Sequence, residues 1–137
     1  MSIRSSIAVR HNDGSVSLIY CHNDGYFSYN GRILKEHYKD IEKVECLISF
    51  GDLSSLRENI GKTNSMKDHS FDNPKKDICI FYGRDRGETG VEPLKFVSLL
   101  EYFLQAPIHE YNYMFINNQW KIRQDREFLD FDPNDDD

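Results

Sequence analysis

The sequence predicts an α+β fold: a mainly antiparallel sheet of about five strands, in the order β-β-α-α-β-α-β-β, with helices packed on one face. Three observations lead there. Apolar residues alternate on both sides of a turn near each end of the chain, in SSIAVRH-NDG-SVSLIYC and in EYNYMFI-NNQ-WKIR. Helical spacing dominates the stretch that follows the first of these hairpins. Hairpins at both ends also argue against a doubly wound sheet, which needs repeated βα units.

Taken in order, Ile7 and Val9 alternate with polar neighbours, as do Val16, Leu18 and Tyr20 after a turn at Asn12, Asp13 and Gly14, residues that tolerate positive φ. A second NDG, Asn23 to Gly25, closes that strand before the aromatic cluster YFSY. Ile33, Leu34, His37, Tyr38 and Ile41 then fall at helical spacing, and Asp40 is placed to cap a second helix carrying Val44, Leu47 and Ile48, stopped by Gly51. Asp52 to Glu58 reads as a short helical turn, and Asn59 to Lys76 as a long polar loop. DICIFYG, rich in strand formers and without alternation, reads as a central strand. Pro93 suits the first position of a helix with Leu94, Val97, Leu100 and Leu104 along a core-facing stripe, ended by Pro107. In the final hairpin Tyr111, Tyr113 and Phe115 lie on one face, and Met114 and Ile116 on the other.

The 137 residues fit one domain, assigned to residues 1–124, with 125–137 as an acidic, flexible tail. That tail holds seven acids and one base and accounts for the whole net charge of -6, so residues 1–124 sum to zero. A neutral body lacks the clustered Lys and Arg that duplex nucleic acid requires. Cys21, Cys46 and Cys79 are odd in number and widely spaced, which suggests neither a disulfide framework nor a metal knuckle, and no cofactor is implied. No apolar run approaches the length of a membrane span.

Three polar constellations are candidates for binding chemistry. In YCHNDGY, Tyr20, His22, Asp24 and Tyr26 gather at a strand end; the alternative is a turn with an edge histidine. In HSFDN, His69 and Asp72 flank Ser70 and Phe71, against the alternative of an Asx turn before Pro74. In YGRDRGETG, Arg84 and Arg86 alternate with Asp85 and Glu88 among three glycines, either to hold an anion or to pair with those acids. None matches a nucleotide-loop or nucleophile-elbow pattern, so no catalytic residue is assigned. An enzyme with His22 and His69 as acid and base is the weakest of the readings. The acidic segment adds Phe128, Leu129, Asp130, Phe131 and Asp132 as candidates for docking on a partner.

YCHNDGY, HSFDN and YGRDRGE, together with YNGRILKEHY and GDLSSL, resemble a group of small uncharacterised proteins of tailed bacteriophages. The resemblance implies a phage source more than an activity; by analogy with other small accessory proteins of phages, the expectation is a factor acting in the host cytoplasm that blocks a host antiviral defence system, as anti-CRISPR proteins do, by stoichiometric binding to a defence protein or nuclease complex. The alternative is a small-ligand module that holds a phosphorylated nucleotide signal through Arg84 and Arg86.

Overall fold

The structure, a computed structural model, describes residues 2–61 and 67–135. Hairpin β1 (Ser5–Arg10) and β2 (Val16–Cys21) forms as expected, with Ile7 opposite Ile19 and Val9 opposite Ser17. A π-helical turn, Phe27–Gly31, leads into α1 (Arg32–His37) and α2 (Ile41–Ser49). The Asp40 carboxylate accepts the Lys43 N–H and caps α2 as the sequence indicates. The chain continues through β3 (Leu53–Ser55), β4 (Ile80–Phe81), α3 (Tyr82–Arg86), β5 (Leu94–Phe96) and α4 (Leu99–Gln105). It closes with β6 (Tyr111–Ile116), β7 (Gln119–Gln124) and β8 (Glu127–Leu129).

The fold is α+β, but the sheet is an eight-stranded mixed one and not the antiparallel sheet of about five strands expected. Its order is β4-β3-β2-β1-β6-β7-β8, with β5 also paired to β2. The pairs β1–β6 and β2–β3 are parallel. Strands β1 and β6 are adjacent because their hairpins stack side by side, with Ile7 opposite Tyr113. Three short elements were misread. Residues 53–55 form a strand where a helical turn was expected. DICIFYG supplies only the two-residue edge strand β4, because β3 offers it a short and irregular ladder. The helix expected from Pro93 begins at Leu99, where the Ser98 hydroxyl accepts the Glu101 N–H; Leu94–Phe96 extends instead beside β2.

Helices cover both faces of the sheet, which corrects the one-face expectation. On one face Ile7, Val9, Ile19, Cys21, Tyr113 and Phe115 pack against Leu34, Tyr38, Val44, Leu47 and Ile48. On the other, Ala8, Val16, Leu18, Met114 and Ile116 pack against Phe96 and Tyr102. This explains why the central strands are buried at almost every position although their sequences alternate only loosely.

Part of the acidic segment packs on the body. β8 adds to β7 with Arg123 opposite Phe128, and Phe131 reaches back into the core, where it is 7 % exposed. Its ring stacks on Phe27 at 5.0 Å, and the Lys35 ammonium lies 4.3 Å from its centroid. Gly31 makes the fit possible, since a Cβ there would fall 2.8 Å from the Phe131 ring. Lys62 to Met66 of the long loop, and Asp136 and Asp137, lie outside the described residues.

Candidate functional site

The helical turn α3 brings His69, Arg84 and Asp85 together, and it does so by pairing their charges. Gly87, at φ +77, ends the turn in the left-handed region. The Asp85 side chain is 2 % exposed and accepts the Phe81 N–H at 2.8 Å. Arg84 donates to both Asp85 oxygens, from Nε at 2.9 Å and Nη2 at 3.2 Å, and to the carbonyls of Ile60 and Cys79. Its guanidinium also lies 4.6 Å from the Phe81 ring centroid. The His69 side chain is fully enclosed: Nδ1 accepts the Lys75 N–H, and Nε2 lies 3.4 Å from the Asp85 carboxylate without aligned hydrogen-bond geometry. Because Nδ1 accepts, the neutral ring carries its proton on Nε2, facing Asp85. Arg86 pairs with Glu88 at 3.1 Å and lies over Phe71, while Asp72 is exposed. Arg84 and Asp85 are thus committed to one another and to backbone, with His69 enclosed beside them.

The end of β2 holds a different arrangement. Tyr20, on β2, and His22, just past its end, lie on the same side, and the Tyr20 hydroxyl lies 2.6 Å from His22 Nδ1. Burial pushes the Tyr20 phenol up from its ordinary range, so it keeps its proton and donates to His22. The Tyr20 N–H donates to the Asp52 carboxylate at 2.9 Å, and the ring of His109 lies 5.1 Å away. Burial raises the Asp52 carboxyl, against the opposing effect of that N–H, and neighbouring Glu92 raises it further. Burial lowers His109, with Arg4 adding to the effect. Tyr20, Asp52, Glu92 and His109 line a small cavity of about 250 Å³ together with Leu18 and Leu94. Asp24, at φ 61, belongs to the turn, where its carbonyl accepts the Asn30 N–H; Tyr26 stands exposed at the start of the π-helical turn.

The expected convergence of His22 with His69 and the arginines is therefore partial. Asp52 links the two regions, its carboxylate on Tyr20 and its carbonyl accepting the Tyr82 N–H, but among the described residues no hydrogen bond or ion pair joins His22 to His69, Arg84 or Arg86. Asp52 and His109 were missed by the sequence reading. Asp52 falls in the stretch read as a short helical turn, and no local pattern marks His109 as a neighbour of Tyr20, 89 positions away in the chain.

Among the candidates in the acidic segment, Phe128 packs against Tyr102 and Phe103, and Phe131 is in the core. Asp130 pairs with Lys121, Asp132 closes a turn by accepting the Asn134 N–H, and Leu129 remains exposed at 40 %.

A row of exposed apolar side chains runs along α4 and its flanks. The stripe of Leu94, Val97, Leu100 and Leu104 expected in the core is on the outside: Val97, Leu100 and Leu104 are 76 %, 62 % and 58 % exposed, and Ile108 beyond them 70 %. The helix buries its opposite face, Tyr102 with Leu99, Phe103 and Ala106, so it is apolar on both sides. These features define an α+β fold whose polar constellations are largely self-paired and whose surface carries an apolar helix. Comparison with models of known protein families, with curated proteins and with solved structures finds no match to this chain.

Proposed function

We propose that the protein is a phage-encoded, host-directed factor that inhibits an antiviral defence system by stoichiometric binding to a host protein, docking through α4. The observation that carries this reading is the outward stripe of Val97, Leu100, Leu104 and Ile108. A contiguous apolar surface on a small domain is the signature of a contact surface, since each such side chain left in water forgoes about 1.5–3 kcal/mol of burial. β8 lies beside this helix through the Phe128 and Phe103 rings, 5.1 Å apart, so the acids Asp125 and Glu127 sit on the neighbouring strand and turn. The partner surface that fits is an apolar groove with a basic rim, as the nucleic-acid channel of a defence nuclease provides. The nucleotide-binding alternative draws less support, because Arg84 already donates to one carboxylate and two carbonyls.

The test is the double variant Leu100→Asp, Leu104→Asp, expressed in hosts with and without a defence system. Both positions are exposed, so the thermal midpoint is expected to stay within roughly 2 °C of wild type. Protection of a defence-sensitive phage is expected to disappear. Undiminished protection by the folded variant would remove α4 from the mechanism. A wild-type dimer that the same variant dissolves would assign the face to a second copy of the chain and defeat the host-partner reading.

A further inference from the structure

A three-residue hydrogen-bonded chain, Ser17, His11 and Glu45, lies at the β1–β2 turn, apart from the three polar constellations. His11 Nε2 is 2.7 Å from the Ser17 hydroxyl, and His11 Nδ1 is 2.5 Å from the Glu45 carboxylate. The polarity of the chain follows from its chemistry. A carboxylate only accepts, so Nδ1 carries the proton and donates to Glu45; Nε2 of the neutral ring is then an acceptor, and the Ser17 O–H donates to it. This is the order of groups that activates a serine: hydroxyl, imidazole held in one tautomer, and a carboxylate that stabilises the imidazolium when it forms.

Three elements set the geometry. Ser17 is on β2, on the sheet face that α2 covers, and Glu45 reaches it from α2. His11 begins the turn, where its N–H donates to the Ser15 carbonyl and its own carbonyl accepts the Gly14 N–H. Ser17 and His11 both border a cavity of about 480 Å³, whose other walls include the apolar Val16, Phe96 and Val97. Lys95, directly opposite Ser17 in the β2–β5 pair, borders it too, and opposed residues share a face. Asp13 is the remaining charge there, and its carboxylate is held low by the Ser15 hydroxyl and N–H. A latch between turn and α2 needs only His11 and Glu45. The hydroxyl on the far ring nitrogen, on a residue that borders a cavity at the β2–β5 edge, is what a latch leaves unexplained.

We propose that Ser17, His11 and Glu45 form a nucleophilic site for small carboxylic esters with an apolar acyl group. Ser17 and His11 are the catalytic residues and Glu45 a positioning residue. Ser17 Oγ attacks the carbonyl carbon while its proton passes to His11 Nε2. The oxyanion formed faces the Lys95 ammonium. Collapse of the tetrahedral species restores the carbonyl and breaks the bond to the alkoxy group, which takes the proton from Nε2 and leaves as the alcohol. A water molecule then gives its proton to Nε2 and attacks the acyl-serine; collapse returns that proton to Ser17 Oγ and releases the carboxylic acid. The sum is ester and water to acid and alcohol, with no redox change.

The experiment treats the full chain with a fluorophosphonate, maps the adduct by mass spectrometry, and measures hydrolysis of p-nitrophenyl acetate and butyrate. One equivalent of adduct on Ser17 is expected. Hydrolysis is expected to fall by about 100-fold or more in Ser17→Ala and in His11→Ala, the scale of general-base catalysis, and the conservative Glu45→Asp variant is expected to retain more rate than Glu45→Ala. The wild-type labelling needs no variant to fold. Absence of an adduct on Ser17, or hydrolysis unchanged in folded Ser17→Ala, overturns the proposal.

Discussion

Phe131→Ala is the sharpest test of how the C-terminal segment is held. Phe131 is 7 % exposed, stacks on Phe27 with an interplanar angle of 15°, and meets Tyr113 edge-on at 5.2 Å. The Lys35 ammonium caps the ring and donates to the Phe131 carbonyl, while Arg32 donates to the Pro133 carbonyl and the Asn134 side chain. Removing a buried phenyl ring costs about 3–5 kcal/mol when its neighbours cannot close the gap. Here Gly31 lies directly beneath the ring and brings no side chain to fill it. With an unfolding entropy near 2.1 cal/mol/K per residue, that loss corresponds to a fall of roughly 10–17 °C in Tm for a chain of this length. Thermal and urea denaturation followed by circular dichroism measure it. A double-mutant cycle with Phe27→Ala should return about 0.5–1.5 kcal/mol of coupling between the rings. A fall in Tm below about 2 °C, the scale of a solvated side chain, would refute the docked arrangement.

Asp85→Ala is expected to cost about 3–5 kcal/mol, because it leaves the largely buried Arg84 guanidinium and the Phe81 N–H without their acceptor; a chemical denaturation curve gives the number. Cys21, whose thiol burial pushes up to about 12, and Cys79, also raised by burial, should resist Ellman's reagent at pH 8, while exposed Cys46 reacts; one thiol should titrate in the native protein and three in urea. Asp52 has a folded-state carboxyl raised above its unfolded value, so the native state binds more protons in the interval between the two. Stability contributed by this residue therefore falls as pH rises through that interval, and Asp52→Asn should flatten the Tm profile from about pH 4 upward without lowering Tm at pH 7.

The hairpins and the Asp40 cap were legible in the sequence because local rules decide them. Asn117 and Asn118 take φ 54 and 60 in a two-residue turn that alternating Tyr113, Met114, Phe115 and Ile116 frame. The errors arise where a partner distant in sequence decides. DICIFYG has the composition of a central strand, but its neighbour β3 is three residues long and irregular, so it pairs over only two residues. The apolar spacing of Leu94, Val97, Leu100 and Leu104 is genuine helical periodicity, yet Phe96, Tyr102 and Phe103 define a competing face with larger rings. Burying the aromatic face displaced the aliphatic one outward. Among the site residues, the pairing of Arg84 with Asp85 was readable as one of two outcomes, whereas the approach of His109 to Tyr20 and of Glu45 to His11 depends on how the hairpins and α2 pack.

The acidic segment now has a different physical meaning. Its apolar residues were candidates for a partner, yet Phe131 is buried in the core and Phe128 is partly buried against Tyr102 and Phe103, which leaves Leu129 as the exposed apolar side chain of the three. Its charges stay outside: the Asp130 side chain is 84 % exposed. In the binding mode proposed above, the apolar contact falls instead to α4 and its flanks, on the sheet face that Phe128 helps to cover. Field and contact area are thus supplied by neighbouring elements. Charges on a strand act over a Debye length of about 8 Å at physiological salt and govern the rate of encounter. Buried Leu and Ile side chains govern the rate of release. A binding protein built this way loses association rate, but not residence time, when its acids are neutralised. The reverse holds when Leu100 and Leu104 become polar.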